Sequence, residues 1–475
     1  MSDTPRILYQ SAKFGESSPY LVAHSANIVE SFPDAVSALS TRRLDTAAIV
    51  SLLNFNYVVG DRTLIKGLSR FPWHSTLTEE GRIERGPPFA HGSTVLSEAA
   101  IADVFEDIMG EYVTEIASRH ATLWLTLSGG YDSRVIAGLL QKYAKGNEIR
   151  VLNWGHPESR DVCYARDIAG HYGWSFTLVP YDPDKNLDSV YYAVEHAGAE
   201  MSPLDYNPLE VDPALLSQLQ PDHAILFAHY GDGMGRASYS HRHVTERAPF
   251  RVGNPYFLYN VNTLPQQARI VSDDRALAWS TDQSPPGTIA VNELDMNENY
   301  LRRMLTKRFA HCHKYDPFCY PPLAEFVYSL DVVNRTDDVY RHLLKNLDPF
   351  LHDYPWARTG VSFSGRVDES GALFRQHSKQ RDYLKLREMF ADLLFDGALC
   401  QQGVINASAL RSVMSLWPKD LTLSTVVAKL AAIEILVQRY DVEVESETST
   451  PWSRLQNTLG SRAYGTAKRM RQWLR

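Results

Sequence analysis

The residues with the clearest chemical potential form one short stretch, SGGYDS at positions 128–133. Adjacent glycines allow a tight turn and a close approach of the backbone to a ligand. A helix that starts beside them offers N–H groups with no partner inside the helix, and these groups form a cradle for an anion. Asp132 would repel a bare phosphate, so we expect Mg²⁺ between its carboxylate and the phosphate oxygens. The stretch therefore predicts a magnesium–nucleotide site.

The chain around this stretch alternates between predicted strands and predicted helices. An apolar run over 123–127 predicts a buried strand, and a helical apolar pattern resumes over 133–144. Glycines between a strand and a helix can be a simple turn, but this order of elements favours phosphate binding. The alternation predicts an α/β fold with a doubly wound parallel sheet, whose ligands bind at the carboxyl ends of the strands. Its other predicted elements are strands at 149–154, 175–179 and 223–228 and helices at 159–172 and 187–196.

Three stretches of the sequence resemble one known family. SGGYDS resembles the SGGxDS pyrophosphate loop of the ATP-pyrophosphatase families, and the residues that follow resemble the asparagine synthetase family. NWGHPESRDVCYA over 153–165 is similar to that family's second strand and the acidic helix start after it. FAHYGDGMG over 227–235 is similar to a loop whose aspartate binds metal, although Gly233 replaces the glutamate that normally follows. The resemblance implies a sheet of the adenine-nucleotide α-hydrolase type.

The resemblance also implies a set of site residues for ATP and Mg²⁺. Asp132, Arg134 and Arg358 are the expected catalytic residues, since an arginine would stabilise charge on pyrophosphate, and Arg341 is the alternative to Arg358. The expected metal ligands are Asp132 and Asp232. The expected nucleotide-binding residues are Leu127, Ser128, Gly129, Gly130, Asp132, Ser133, Leu152, Gly155 and Gly231.

Two acidic residues in the stretch over 153–165 can be interpreted in two ways. Glu158 and Asp161 either contact ribose, metal or substrate, or only favour the N-terminus of the helix that follows them.

Three parts are predicted along the chain: a β-rich unit over 1–95, an ATP-binding domain over 96–440 and a basic tail over 441–475. Within the first part, residues 60–72 resemble the end of the family's glutaminase domain. That domain starts with a nucleophilic cysteine after the initiator methionine, whereas Ser2 stands here and the first cysteine is Cys163. We therefore expect a truncated glutaminase-like unit that does not hydrolyse glutamine.

The later part of the chain predicts two further features. Residues 240–300 are rich in Pro, Asn, Ser and Asp, which predicts an irregular excursion that shapes the substrate pocket. Residues 300–440 return to helical patterns and predict a helical C-terminal part. Within it, the apolar run over 426–437 is interrupted by Lys429 and Glu434 and is too short for a membrane span, so it predicts a buried helix.

Composition places the chain among globular proteins. Its 475 residues, 44% of them hydrophobic, can bury a large core. A net charge of -8 argues against nucleic-acid binding through a broad basic surface. Four scattered cysteines favour a reducing compartment, and no signal peptide or transmembrane segment is predicted. These features predict a cytoplasmic protein.

The function implied by the resemblance is that of an ATP-dependent ligase. A carboxylate attacks the α-phosphorus, pyrophosphate leaves, and an amine then attacks the acyl-adenylate and releases AMP. In the family the carboxylate is aspartate, the amine is ammonia and the product is asparagine. Without its own glutaminase nucleophile, the chain would take ammonia from solution, or from another chain in a homodimer or from a separate ammonia-supplying partner.

Two alternatives remain open. The first is an amide-bond cyclase or ligase that acts on a peptide or natural-product substrate. The second is a non-catalytic ATP-binding scaffold or sensor on the same fold, which Gly233 in place of glutamate favours.

Overall fold

The structure is a computed structural model. It describes residues 6–15, 18–23, 27–58, 60–87, 92–206, 212–236, 301–304, 312–369, 371–372, 374 and 379–445. The excursion predicted over 240–300 lies outside these residues, as do Ser2 and residues 446–475 of the predicted tail.

The described residues form thirteen strands, of which the longest lie between residues 122 and 180. They are β1 (Ile7–Gln10), β2 (Tyr20–Val22), β3 (Asn27–Val29), β4 (Arg43–Leu44), β5 (Ile65–Lys66), β6 (Leu68–Arg70), β7 (Ser75–Thr78), β8 (Ile83–Arg85), β9 (Thr122–Thr126), β10 (Glu148–Gly155), β11 (Ser175–Pro180), β12 (Ala224–Leu226) and β13 (His313–Tyr315).

Helices surround these strands and dominate the chain after residue 320. They are α1 (Phe32–Ser37), α2 (Thr46–Phe55), α3 (Glu98–Arg119), α4 (Tyr131–Tyr143), α5 (Arg160–Tyr172), α6 (Asn186–Ala197), α7 (Pro213–Leu216), α8 (Gly231–Gly235), α9 (Arg302–Met304), α10 (Pro321–Ser329), α11 (Asp337–Leu347), α12 (Pro349–Asp353), α13 (Lys379–Asp382), α14 (Arg387–Phe395), α15 (Ala398–Gln401), α16 (Ala407–Leu416) and α17 (Leu423–Arg439).

A five-stranded sheet in the order β11-β10-β9-β12-β13 forms the centre of the molecule. All its strand pairs are parallel, and Leu125 of β9 lies opposite Val151 of β10. Parallel strands bring their carboxyl ends to one edge of the sheet, so the loops after β9, β10 and β12 meet there. The predicted α/β class with a parallel sheet is confirmed.

The central sheet is covered on both faces, as its side-chain alternation requires. Leu123 and Leu125 of β9 belong to a large core that also contains side chains of α3, α4, α5, α10 and α11. Trp124, between them, belongs to a smaller core with Leu152, Leu215 and other apolar side chains. These two cores fix the position of the sheet edge that carries the loops.

The N-terminal strands form two three-stranded sheets and one two-stranded sheet, as the predicted β-rich unit requires. This unit shares a core with the C-terminal helices, because Leu52 and Leu64 pack in one cluster with Phe390 and Trp417. Backbone contacts support the same packing, since the N–H of Leu44 donates to the carbonyl of Glu443 at 2.9 Å. Residues 441–445, predicted as the start of a tail, therefore lie against β4.

The apolar run over 426–437 lies within α17, so the predicted buried helix is confirmed. The two charged residues that interrupt the run are buried and hydrogen-bonded. Lys429 donates to the carbonyl of Leu52 at 3.1 Å, and Glu434 accepts backbone N–H groups of Ala398 and Leu399 at 2.9 and 3.0 Å. Across the described ranges, no helix combines the length and the apolar character that a membrane crossing would need.

Candidate active site

A cleft of about 370 Å³ opens at the carboxyl edge of the central sheet. Its walls come from the loops after β9, β10 and β12 and from the segment after α12. The residues that line it are Thr126, Leu127, Ser128, Gly130, Asp132, Ser133, Asn153, Trp154, Asp161, Ala228, His229, Asp232, Arg236, Trp356 and Arg358. The cleft thus brings together many of the residues predicted from the sequence.

The loop at 128–133 is held in shape by its own serines. The N–H of Ser128 donates to Oγ of Ser133 at 3.0 Å, and the N–H of Gly130 donates to Oγ of Ser128 at 3.1 Å. The two hydroxyls also contact each other at 3.1 Å. Because the serines fix the loop, its backbone is preorganised for a ligand.

Helix α4 starts at Tyr131, two residues earlier than the sequence pattern predicted, so Asp132 and Ser133 lie in its first turn. Gly130 occupies the N-cap position and no side chain of the described residues caps the helix. The first-turn N–H groups are therefore available to an anion.

Asp161 lies in the first turn of α5 and also lines the cleft. Its Oδ1 accepts the N–H of Gly129 at 3.1 Å, which ties α5 to the loop after β9. Asp161 thus lies at the helix N-terminus and at the cleft wall, and its contact with ribose, metal or substrate stays a prediction, whereas Glu158 is exposed and does not line the cleft.

Arg236 connects the two predicted metal ligands. Its Nη2 lies 3.3 Å from Oδ2 of Asp132, it forms an ion pair with Asp232, and its Nη1 lies 3.5 Å from Oδ1 of Asp337. Burial raises the pKa of Asp132 above its ordinary value, although Arg236 acts in the opposite direction. Arg236 is a site residue that the sequence did not predict.

Asp132 and Asp232 are the carboxylates of the cleft that would hold a magnesium ion. Both contact Arg236, so their side chains approach the same cation. Oδ1 of Asp132 is buried, and no donor among the described residues forms a hydrogen bond of good geometry with it. The described residues contain no group of three or more His, Cys, Asp or Glu that could hold a metal. Phosphate oxygens and water would therefore complete the coordination of Mg²⁺.

Two glycines of α8 are required by close packing. A Cβ atom at Gly231 would lie 2.4 Å from the side chain of Asp132, and one at Gly233 would lie 2.4 Å from the ring of Tyr230. The glutamate that the family has at position 233 therefore does not fit beside Tyr230. The glycine at position 233 therefore follows from how this loop packs against Tyr230.

The structure does not bring the side chain of Arg134 into the cleft lining. The guanidinium is fully buried and donates to the carbonyls of Gly129 and Tyr354, each at 2.9 Å, and to that of Pro355. Burial lowers its pKa to about 10. Arg134 thus clamps the glycine loop to the segment after α12, a contact that spacing in the sequence did not predict.

Arg358 does line the cleft, with its guanidinium carbon 5.6 Å from the ring centre of Trp356. Arg236 lies 5.9 Å from the same ring. Arg341, the predicted alternative to Arg358, is half exposed and pairs with Asp338. The positive charge of the cleft therefore comes from Arg236 and Arg358.

The wall beside β10 differs from the prediction in its side chains. Leu152 packs into the smaller core, and Gly155 ends the strand with a φ of 140°. Trp154 and Asn153 line the cleft instead, and the amide of Asn153 donates to the carbonyl of Leu127 at 2.5 Å. Asn153 and Trp154 lie at the carboxyl end of β10, which faces the cleft, whereas Leu152 lies further inside the strand.

A parallel sheet with helices on both faces and a glycine loop at the end of its middle strand has the architecture of a doubly wound α/β fold. Residues 105–206 match the family model for asparagine synthase. The predicted resemblance to that family is therefore confirmed for this segment, which contains β9, β10, β11 and the loop at 128–133. The match supports an ATP-dependent activity of the ligase type.

Comparison with whole proteins adds little to this assignment. No curated protein matches the chain in sequence. Among solved structures, the U34-tRNA thiolase NcsA from Methanococcus maripaludis with its 4Fe-4S cluster is similar to it at 15% identity, over 52% of this chain and 80% of that chain, with a TM-score of 0.19. A likeness of this strength supports no conclusion about activity.

Proposed function

We propose that the chain is an ATP-dependent ligase that forms an amide bond through an acyl-adenylate and releases AMP and pyrophosphate. The observation that carries this proposal is one cleft that combines an uncapped helix N-terminus, two carboxylates able to share a cation, and two arginines. Each group matches one requirement of adenylation, namely phosphate binding, charge neutralisation and stabilisation of the leaving group.

The proposed ATP lies across the carboxyl ends of β9 and β10. The triphosphate occupies the loop after β9 and the N-terminus of α4, and the nucleoside lies toward β10, where Asn153 and Trp154 form the wall. Mg²⁺ bound by Asp132 and Asp232 would neutralise phosphate charge and fix the phosphate oxygens.

The arginines act when the substrate carboxylate attacks the α-phosphorus. A bond forms from the carboxylate oxygen to phosphorus, the bond to the bridging oxygen breaks, and pyrophosphate leaves with the electron pair. Arg236 and Arg358 face the resulting charge and stabilise the transition state more than bound ATP. Arg134 holds the loop through its carbonyl contacts instead of contacting the phosphates.

Aspartate and ammonia are the first substrates to test, because they are the pair used by the resembled family. A small-molecule or peptide carboxylate with another amine is the alternative. The protein would be incubated with Mg-ATP, a panel of amino acids and short peptides, and ammonium chloride. We expect carboxylate-dependent release of equal amounts of AMP and pyrophosphate, whereas ADP and phosphate as products would contradict adenylation.

The same assay contains its controls. Asp132→Ala should abolish pyrophosphate release, while Asp337→Asn, which removes a partner of Arg236 outside the cleft lining, should retain it. Glutamine should not replace ammonium chloride if the chain lacks a glutaminase nucleophile, in which case ammonia comes from solution or from a separate chain.

A second candidate is an ATP-binding scaffold or sensor without turnover. The ion pairs from Arg236 to both Asp132 and Asp232 favour it, since a guanidinium occupies the position between the carboxylates where the metal would bind. Calorimetric titration with Mg-ATP that shows binding, together with no pyrophosphate under any condition above, would support this candidate.

A further inference from the structure

A histidine and a buried aspartate meet at the other side of the cleft. His229 follows β12 and lines the cleft, and Asp316 follows β13. In the sheet order β11-β10-β9-β12-β13, these residues lie on the opposite side of the phosphate loop from β10. The cleft therefore has a nucleoside end beside β10 and a second end beside β12 and β13.

Asp316 accepts two backbone hydrogen bonds and lies beside the imidazole of His229. Its Oδ2 accepts the N–H of His229 at 2.9 Å, and its Oδ1 accepts the N–H of Phe318 at 3.1 Å. Nδ1 of His229 lies 3.9 Å from the same Oδ2, close enough for an ion pair when the ring is protonated. The ring also stacks on Phe227, with centres 4.8 Å apart. The imidazole is thus fixed between an aromatic ring and a carboxylate.

The charges around this pair are mainly carboxylates. Burial raises the pKa of Asp316 to about 7, and the charge of Asp132 acts in the same direction, while the N–H donors of His229 and Phe318 oppose it. In its ionised form, the Asp316 carboxylate attracts positive charge on the adjacent imidazole. The other charged groups that line the cleft are Asp132, Asp161, Asp232, Arg236 and Arg358.

The lining offers a single group suited to proton transfer near neutral pH. Among the described residues that line the cleft, His229 is the one whose ordinary pKa lies near neutrality. The remaining titratable groups are carboxylates and arginines, which exchange protons far from pH 7 in their ordinary state. An amine that attacks an acyl group must lose a proton, and a positioned acceptor for that proton accelerates amide formation.

We propose that His229 accepts the proton that the attacking amine loses, and that Asp316 positions its imidazole. This inference rests on the proposed function. The amine nitrogen forms a bond to the acyl carbon, and the bond from that carbon to the phosphate oxygen breaks. AMP leaves with the electron pair, and one proton passes from nitrogen to Nε2, the ring nitrogen that is not beside Asp316.

The test compares two nucleophiles with the full-length protein. Both nucleophiles lose one N–H proton when they are acylated, but hydroxylamine is the stronger nucleophile and depends less on a positioned proton acceptor when it traps an acyl-adenylate as a hydroxamate. In His229→Gln we expect ammonia-dependent amide formation to fall about 10²- to 10⁴-fold, with a far smaller fall in hydroxamate formation and pyrophosphate release. His156→Gln, outside the cleft lining, is the matched control and should keep both rates.

The pH profile tests the part played by Asp316. In the wild type, the ammonia-dependent rate should rise with pH as the imidazole loses its proton. Asp316→Asn removes the carboxylate, so this rise should move to lower pH, a shift that a purely structural role would not produce. The thermal unfolding midpoint of His229→Ala shows whether this variant is folded. If it is folded, added imidazole should restore part of its ammonia-dependent rate.

The possible outcomes distinguish a failure of the role of His229 from a failure of the proposed ligase function. An equal loss of amide and hydroxamate in His229→Gln, or an unchanged ammonia rate and pH profile, would overturn the role of His229. A wild-type protein that releases no pyrophosphate would instead overturn the proposed ligase function.

Discussion

Nη2 of Arg236 lies 3.3 Å from Oδ2 of Asp132, and this ion pair joins the loop after β12 to the start of α4. The same guanidinium pairs with Asp232 and Asp337, so one cation balances three carboxylates. If Asp132 and Asp232 bind Mg²⁺ as proposed, the ion would compete with the guanidinium for both carboxylates and free Arg236 to contact phosphate oxygens.

Asp132→Asn should separate stability from activity. The folded protein raises the pKa of Asp132, mainly through burial, so the carboxylate is less favourable in the folded than in the unfolded chain. That penalty is absent below the ordinary carboxylate pKa and develops as pH rises through the folded-state pKa. Near neutral pH we therefore expect the variant to unfold at a higher temperature than the wild type, while its pyrophosphate release falls about 10²-fold or more.

Thermal unfolding at pH 4 and at pH 7.5, without ligand, checks the first half of this prediction. The gain in midpoint should be larger at pH 7.5. Asp337→Asn serves as the control, since it removes a half-exposed partner of the same arginine. A midpoint that drops at pH 7.5 would show that the pair with Arg236 outweighs the cost of burial.

Gly233→Glu, which restores the residue typical of the resembled family, should destabilise the protein. A Cβ at this position lies 2.4 Å from the buried ring of Tyr230, and overpacking of this kind costs about 1–3 kcal/mol. Urea unfolding measures the loss. The double variant with Tyr230→Ala should show a favourable coupling energy, because the clashing ring is gone. Additive losses would mean that the ring is not the obstacle.

Strand positions could be predicted closely from the sequence because short apolar runs end at glycines and turns. The predicted strand at 123–127 is Thr122–Thr126, and the predicted strand at 175–179 is Ser175–Pro180. The glycine loop and its acidic residue were also predicted correctly as a group at the sheet edge. Local pattern carries this information, since it depends on residues that are close in the chain.

The long-range contacts of the cleft could not be predicted in the same way. Arg134 follows Ser133 directly, yet its guanidinium bonds to Tyr354, 220 residues away in sequence. Arg236 meets Asp132 across 104 residues, and His229 meets Asp316 across 87. The direction of these side chains depends on which loops meet at the sheet edge. Periodicity and turn composition do not specify that arrangement.

Arg134→Lys should weaken the fold and ATP binding together. A lysine carries one nitrogen and cannot bridge the carbonyls of Gly129, Tyr354 and Pro355 at once. We expect a loss of about 1.5–3 kcal/mol in unfolding free energy and a raised KM for ATP. Urea unfolding and initial-rate kinetics measure these effects, with the half-exposed Arg366→Lys as control. Wild-type stability with a lost kcat would instead support the catalytic role that the sequence predicted for Arg134.

Lys429→Met tests the packing of α17 on α2 through its pH dependence. Lys429 is buried, and burial lowers its pKa from 10.5 to about 8. Between these values the unfolded chain binds more protons than the folded chain, so stability of the wild type should rise with pH. In Lys429→Met this rise should be absent. The rise in unfolding free energy between these two pH values should therefore be on the order of 3 kcal/mol larger for the wild type than for the variant.

Urea unfolding at intervals from pH 7 to pH 10.5 measures this difference, and comparing slopes removes the constant effect of losing the hydrogen bond to the carbonyl of Leu52. The control is Lys385→Met, because Lys385 is exposed and pairs with Asp184 at the surface. Its curve should run parallel to that of the wild type over the whole range. Parallel curves for Lys429→Met as well would mean that water reaches the ammonium group and that α17 packs less tightly on α2 than its buried contacts indicate.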